Sequence, residues 1–239
     1  MDQLPSYSDS RGPSACQLSD NAARDKSQLL PPAMLYLAGR FIHSSKPQAP
    51  PLYELSHSVG FLGDTDRLVR IERLQHSVRH HSGAPHVSTR PRHLYNLEHP
   101  TMFASLTVQF VADKTSRQSL CSFGIVRFRP TRLSSSTGHR VHRIARGPDR
   151  QFICRDILFT AMPAKGDAVT IEWFDSCNLL IARETDSGEL RSLFVSAELE
   201  ASTRDALVSA WVLRIWMEQA SNRSKWDKRI DEAKRIVMP

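Results

Sequence analysis

The run Ala206-Leu-Val-Ser-Ala-Trp-Val-Leu-Arg-Ile-Trp-Met217 constrains this chain more than any other feature. Its apolar residues go nearly all the way round a helix, so it cannot rest on a surface with one face in water. Protein must enclose it on most sides. Ser202, with Asp205 three residues on, gives a capping-box-like start in which Asp stands where Glu or Gln is usual. A central helix is therefore predicted over 203–219. Its apolar run is too short for the roughly 18 to 20 residues that a bilayer-spanning helix needs, and it contains Ser209 and Arg214. Arg214 must find an acceptor or reach water at the mouth of the enclosing structure, because an unpaired buried charge is very costly. Trp211 and Trp216 read as core.

Strands are the natural wall for such a helix. From Pro32 to about Ala201, short apolar or alternating runs recur between turn residues, without a 3.6-residue stripe. Residues 34–43 read as two short strands bent at Gly39. Further strands are predicted over 52–59, 68–74, 94–98, 103–110, 124–128, 141–145, 152–160, 169–174, 179–183 and 190–200. So many short strands at regular spacing predict a mainly β fold, an antiparallel sandwich or barrel, with the helix at its centre. The domain is expected over 32–220. Before it, 1–31 is a Pro/Ser-rich arm expected to be disordered, since half of the fourteen prolines fall in residues 1–51. After it, 221–239 is expected to form a second, exposed, charged helix, with Lys225, Lys228, Arg229 and Lys234 alternating with Asp227, Asp231 and Glu232.

Composition narrows the class. With 40% hydrophobic and 24% charged residues, the chain can bury a core without staples. Cys16, Cys121, Cys154 and Cys177 lie too far apart for paired zinc ligands or a dense disulfide scaffold, which suits a reducing compartment. Residues 1–14 are polar and broken by Pro5 and Pro13, unlike a signal peptide. A soluble, cytoplasmic, monomeric protein is expected, with no cofactor.

Charge is polarised along the chain. Residues 114–155 hold ten Lys/Arg against Asp149 alone, a net +9, whereas 156–200 hold three against nine, a net −6. Arg127, Arg129 and Arg132, then Arg140, Arg143, Arg146 and Arg150, flank Ser134-Ser-Ser-Thr-Gly138. On a hairpin these arginines could converge on a phosphorylated headgroup, each presenting a planar fork of donors. The alternative is a solvated basic sheet face balanced by the acidic stretch. Nucleic acid is the less favoured anion, because the neighbouring Phe123, Phe128 and Phe152 sit in apolar strand patterns and read as core rather than stacking platforms.

Two peptide motifs offer a competing reading. Pro50-Pro51-Leu52-Tyr53 matches the PPxY pattern gripped by WW domains, and Leu4-Pro5-Ser6-Tyr7 is a looser relative in the N-terminal arm. Tyr53 also opens a predicted strand, where packing would explain it equally well. The histidine pairs His80-His81 and His139 with His142 are read as surface loop residues, since no cysteine or third ligand accompanies them. No Gly-x-Ser-x-Gly elbow, phosphate-cradling loop or His-Glu-x-x-His helix is present, so a non-enzymatic role is expected.

The words Pro51-Leu-Tyr-Glu-Leu55, His93-Leu-Tyr-Asn-Leu97 and Thr203-Arg-Asp-Ala-Leu207 ending in Trp216 resemble uncharacterised proteins allied to the LURP-one-related branch of the tubby C-terminal-like superfamily, over roughly 32–220. The resemblance implies a barrel wrapped around the helix. It also implies peripheral binding of membrane lipid, since the superfamily includes phosphoinositide-binding tubby proteins and phospholipid scramblases. No local motif places the tubby headgroup contacts on positions of this chain.

Overall fold

The structure is a computed structural model and describes residues 28–44, 49–59, 62, 68–81, 84–99, 108–130, 136–147, 151–164, 169–186 and 190–237. Strands follow one another as β1 (Leu29–Leu30), β2 (Ala33–Ala38), β3 (Phe41–His43), β4 (Pro51–Leu55), β5 (Leu68–His81), β6 (Ala84–Glu98) and β7 (Phe110–Lys114). Then come β8 (Phe123–Phe128), β9 (Gly138–Arg146), β10 (Phe152–Pro163), β11 (Ile171–Asp175), β12 (Leu180–Asp186), β13 (Arg191–Val195) and β14 (Leu199–Glu200). Twelve of them close an antiparallel barrel in the order β10-β11-β12-β13-β2-β3-β4-β5-β6-β7-β8-β9. Closure pairs every barrel strand on both sides, so the wall presents no free edge along its length. The remaining two, β1 and β14, pair with each other as a separate ladder.

Alternation along each strand decides what the barrel holds. Phe123, Ile125 and Val141 point inward to the main core, while Val126 and Ile144 on the same two strands join a small outer cluster with Val108 and Val111. Gly39 makes the expected bend between β2 and β3 with φ of 60°, in the left-handed region that glycine enters without steric cost.

One helix, α1 (Ala201–Val237), fills the barrel. Leu207, Val208, Trp211, Val212, Ile215 and Trp216 are all fully buried against the inward strand residues. Each large side chain of this set contributes about 2 to 5 kcal/mol relative to alanine. The helix starts at the end of the barrel where Tyr53, Arg73 and Lys114 lie, here the upper end, and leaves at the lower end beside Arg127 and Glu218.

Three expectations change. The second, separate helix does not exist: α1 is continuous through 221–237, because nothing between Met217 and Asn222 is a glycine or proline that would break it. Ser202 and Asp205 form no capping box. Instead Ala201 N–H donates to the Gln28 carbonyl at 3.0 Å, and Asp205 turns inward as a buried acceptor. Finally, β5 and β6 are far longer than 68–74 and 94–98, running on beyond the barrel wall as a paired ribbon. The strand expected over 103–110 lies mostly outside the described residues, and the strand observed there begins at Phe110.

Candidate functional site

The arginine segment divides between two faces and two ends. On β9 the residues 139, 141 and 143 face the interior, and 140, 142, 144 and 146 face outward, so a three-residue spacing puts Arg143 opposite in sense to Arg140 and Arg146. Arg140 lies over the Phe128 ring at 4.3 Å, at the lower end. Arg146 lies six residues further along, roughly 20 Å away at the upper end. It donates to Asp113 at 2.9 Å and covers the Phe152 ring at 5.7 Å. Arg127 faces the barrel mouth, donating to the Met217 carbonyl at 3.1 Å and to the Ser221 hydroxyl, and burial pulls its pKa down against the pull of Glu218. Arg129 is exposed at the lower end; Arg132 and Arg150 lie outside the described residues. Of the three aromatics read as core, Phe123 is, whereas Phe128 and Phe152 sit outside the barrel as platforms under arginine.

At the lower end a buried ionic network fastens α1 to the wall. Arg214, only 5% exposed, gives Nε to Glu184 Oε1 at 2.8 Å and a second donor to Oε2. Trp173 Nε1 donates to the same carboxylate at 2.8 Å. Glu218, on the outer turn of the helix, accepts from Arg214 at 3.4 Å and Arg191 at 3.2 Å. Burial lowers the Arg214 pKa, and the carboxylates of Glu184 and Glu218 more than offset this, so the net shift is upward and the guanidinium stays charged. The acceptor that a buried arginine required is thus Glu184. His139, expected in a surface loop, is instead on β9 and 8% exposed, with its pKa pushed down to about 3 by burial and then by Arg214 and Arg127.

At the upper end the balance differs. Tyr53 donates its hydroxyl to Asp205 Oδ1 at 2.8 Å, and Arg73 reaches Oδ2 at 3.4 Å. Burial raises the Asp205 carboxyl above its ordinary range, opposed by Arg73 and by the Tyr53 hydrogen bond. Around this single buried carboxylate the register sets Arg92 beside Arg73 and Lys114 beside Tyr95, with Arg143 on the next strand pair. Arg92 donates to Ser116 at 3.2 Å and Arg204 to the Pro31 carbonyl at 3.1 Å. Among the described residues the Nε–H groups of Arg143 and Arg204 are buried without a hydrogen-bond partner. Burial pushes the neighbouring Cys121 thiol up, against Arg143 and Lys114. Cationic donors therefore outnumber acceptors here.

The peptide motifs fare unequally. Tyr53 is 2% exposed and its strand is paired on both sides, with Pro51 opposite His43, so Pro50-Pro51-Leu52-Tyr53 is not an accessible extended ligand in the folded chain. Leu4, Pro5 and Tyr7 lie outside the described residues. His80 and His81 belong to β5 rather than a loop. Among the described residues no three His, Cys, Asp or Glu side chains gather as metal ligands, and no helix is long and apolar enough to cross a membrane. Sequence reasoning missed Arg73, Arg92 and Lys114, because the residues that bring them together are separated by whole strands. A hint lay in the alternation of β12, where Glu184 shares the inward row with Ala182.

The fold is thus a closed twelve-stranded antiparallel barrel plugged by its own helix. No family model, no curated protein and no solved structure matches the chain.

Proposed function

We propose that the chain is a non-enzymatic peripheral module that binds anionic membrane lipid, with a phosphoinositide-type headgroup as the fitting ligand, through the upper end of its barrel. The observation that carries this reading is the charge imbalance of that end, where Arg73, Arg92, Lys114 and Arg143 gather around Asp205 as its buried carboxylate. The barrel interior is occupied by α1, so a ligand must be met on the outside. Planar guanidinium forks suit phosphate oxygens. The resemblance to the tubby C-terminal-like superfamily supports the same reading. At the lower end the buried Arg214 and its neighbour Arg191 are matched by Glu184 and Glu218.

Liposome sedimentation tests this. Wild-type protein is expected to bind vesicles containing phosphoinositide or phosphatidylserine, not neutral ones, and to release them as salt rises, because exposed charges are screened beyond about 8 Å at physiological ionic strength. Lys114→Ala with Arg143→Ala and Arg146→Ala should abolish binding with the fold retained, while Arg129→Ala with Arg140→Ala should leave it unchanged. Failure of the wild type to bind any membrane at low salt overturns the reading.

A further inference from the structure

On the outer wall, β4 and β5 frame a cavity of about 140 Å³ lined by Arg40, Glu54, Leu55, Ser56, Arg70 and Glu72. That is several times the space one water molecule needs. Strand alternation puts the charges there. Tyr53 and Leu55 on β4, and Val69 and Ile71 on β5, turn into the core, so Glu54, Arg70 and Glu72 turn outward. Arg40 comes from the bend between β2 and β3, lies over the Phe41 ring at 4.9 Å and donates to Glu54 at 3.0 Å. Ser56 Oγ accepts the Arg70 backbone N–H at 3.0 Å, which ties the end of β4 to the strand that carries the guanidinium.

Two of these four charges are matched and two are not. Among the described residues neither the Arg70 nor the Glu72 side chain makes a hydrogen bond or ion pair, with each other or with a neighbour. Glu72 lies directly opposite Glu54 across the ladder, a like-charge pair that costs stability. Arg70, two positions back on β5 and so roughly 7 Å away, has Asn96 beside it on β6 and no carboxylate of its own. These unmet charges restrict the ligand. A cation alone would satisfy Glu72 but face Arg40 and Arg70. An anion alone would satisfy Arg70 but face Glu54 and Glu72. Among the described residues no third ligand joins the two carboxylates to hold a metal ion. A small molecule carrying both signs meets both demands: its ammonium relieves the Glu54–Glu72 repulsion, and its oxyanion accepts from the planar fork of Arg70.

We infer that this cavity binds a small zwitterion of the α-amino acid class, with Glu72 taking the ammonium group and Arg70 the carboxylate. The site lies on the wall rather than at the mouth, so it goes beyond the lipid reading and does not rest on it.

The test is ligand-observed NMR on the full chain with free alanine, N-acetylalanine, which lacks the cation, and alanine methyl ester, which lacks the anion. Alanine is expected to bind with a dissociation constant on the order of 1 mM, as suits so small a ligand in an open site, and each blocked analogue about tenfold more weakly. Glu72→Gln and Arg70→Gln should each weaken alanine binding about tenfold. Thermal unfolding should be unchanged in both, because the two side chains stand on the outer face. Should Arg70→Gln disturb the wall, Arg70→Lys keeps the charge without the fork and is expected to weaken binding about threefold; unchanged binding overturns the inference. Absence of a saturable alanine signal up to about 20 mM, well above the expected constant, also overturns it. So does equal binding of either blocked analogue, or wild-type affinity in both glutamine variants. The probes contain no lipid, so each of these outcomes leaves the vesicle experiment to be decided separately.

Discussion

The two ends of the barrel are built from the same materials and resolve their charges differently. Below, Arg214 is enclosed by Glu184, Trp173 and Glu218, and each carboxylate has its donors. Above, Asp205 is the one buried carboxylate among Arg73, Arg92 and Arg204, and arginine donors are left over. A buried ion pair is weak evidence for stability but good evidence for register, because it fits in only one position of the helix along the barrel. The lower end therefore reads as the device that fixes α1, and the upper end is the one on which the lipid proposal rests.

Both ends depend on α1, so the largest effect comes from its removal. A 32–200 fragment is expected to give no cooperative unfolding transition by circular dichroism; a soluble, cooperatively unfolding fragment would break the comparison at its root. Next in size, Glu184→Leu leaves Arg214 buried beside an incomplete set of acceptors and is expected to cost about 3 to 5 kcal/mol in denaturant unfolding. A cost below about 1 kcal/mol would mean that the lower network does not fix the helix. At the upper end Tyr53→Phe removes one of two donors to Asp205 and should cost less, about 1 to 3 kcal/mol. If the two costs were reversed, the anchoring role would belong above.

Another effect, spread over a range of pH, concerns His139. His139 titrates at about 3 in the folded chain and near its ordinary 6.5 when unfolded. The unfolded chain therefore takes up a proton, as pH falls from about 6.5 toward 3, that the folded chain refuses. This removes stability by at most about 1.4 kcal/mol per pH unit. Asp205 and Glu184, whose pKa values are raised, act in the opposite sense, so the contribution is read as a difference from wild type. His139→Gln should flatten the decline in denaturant midpoint between about pH 7 and pH 4. Parallel profiles for the two proteins would show that the ring is not held neutral.

What was legible in the sequence was local pattern. The encircling apolar residues from Leu207 to Trp216 predicted an enclosed helix, and period-two alternation predicted most of the wall. What was not legible depended on partners far along the chain. The ribbon over 75–90 is polar, rich in His and Ser, and carries little alternation; it is strand because each half supplies the other's backbone hydrogen bonds. Arg140, Arg143 and Arg146 share a spacing that would align them on a helix, and on β9 it separates them. Tyr53 looked like a peptide motif until Asp205, 152 positions away, claimed its hydroxyl.

The position of α1 also has a consequence for biogenesis. Strand β2 emerges from the ribosome more than 150 residues before β13, its partner across the closing seam, and the helix that fills the lumen emerges after both. At about 5 to 20 residues per second, β2 waits roughly ten to thirty seconds with one edge unsatisfied. The wall cannot condense around its plug until translation has passed the last strand and α1, so folding is paced by long-range closure. During that interval the nascent chain exposes the valines, leucines and isoleucines of the wall that later make its core, and holdase chaperones have their strongest claim on it then.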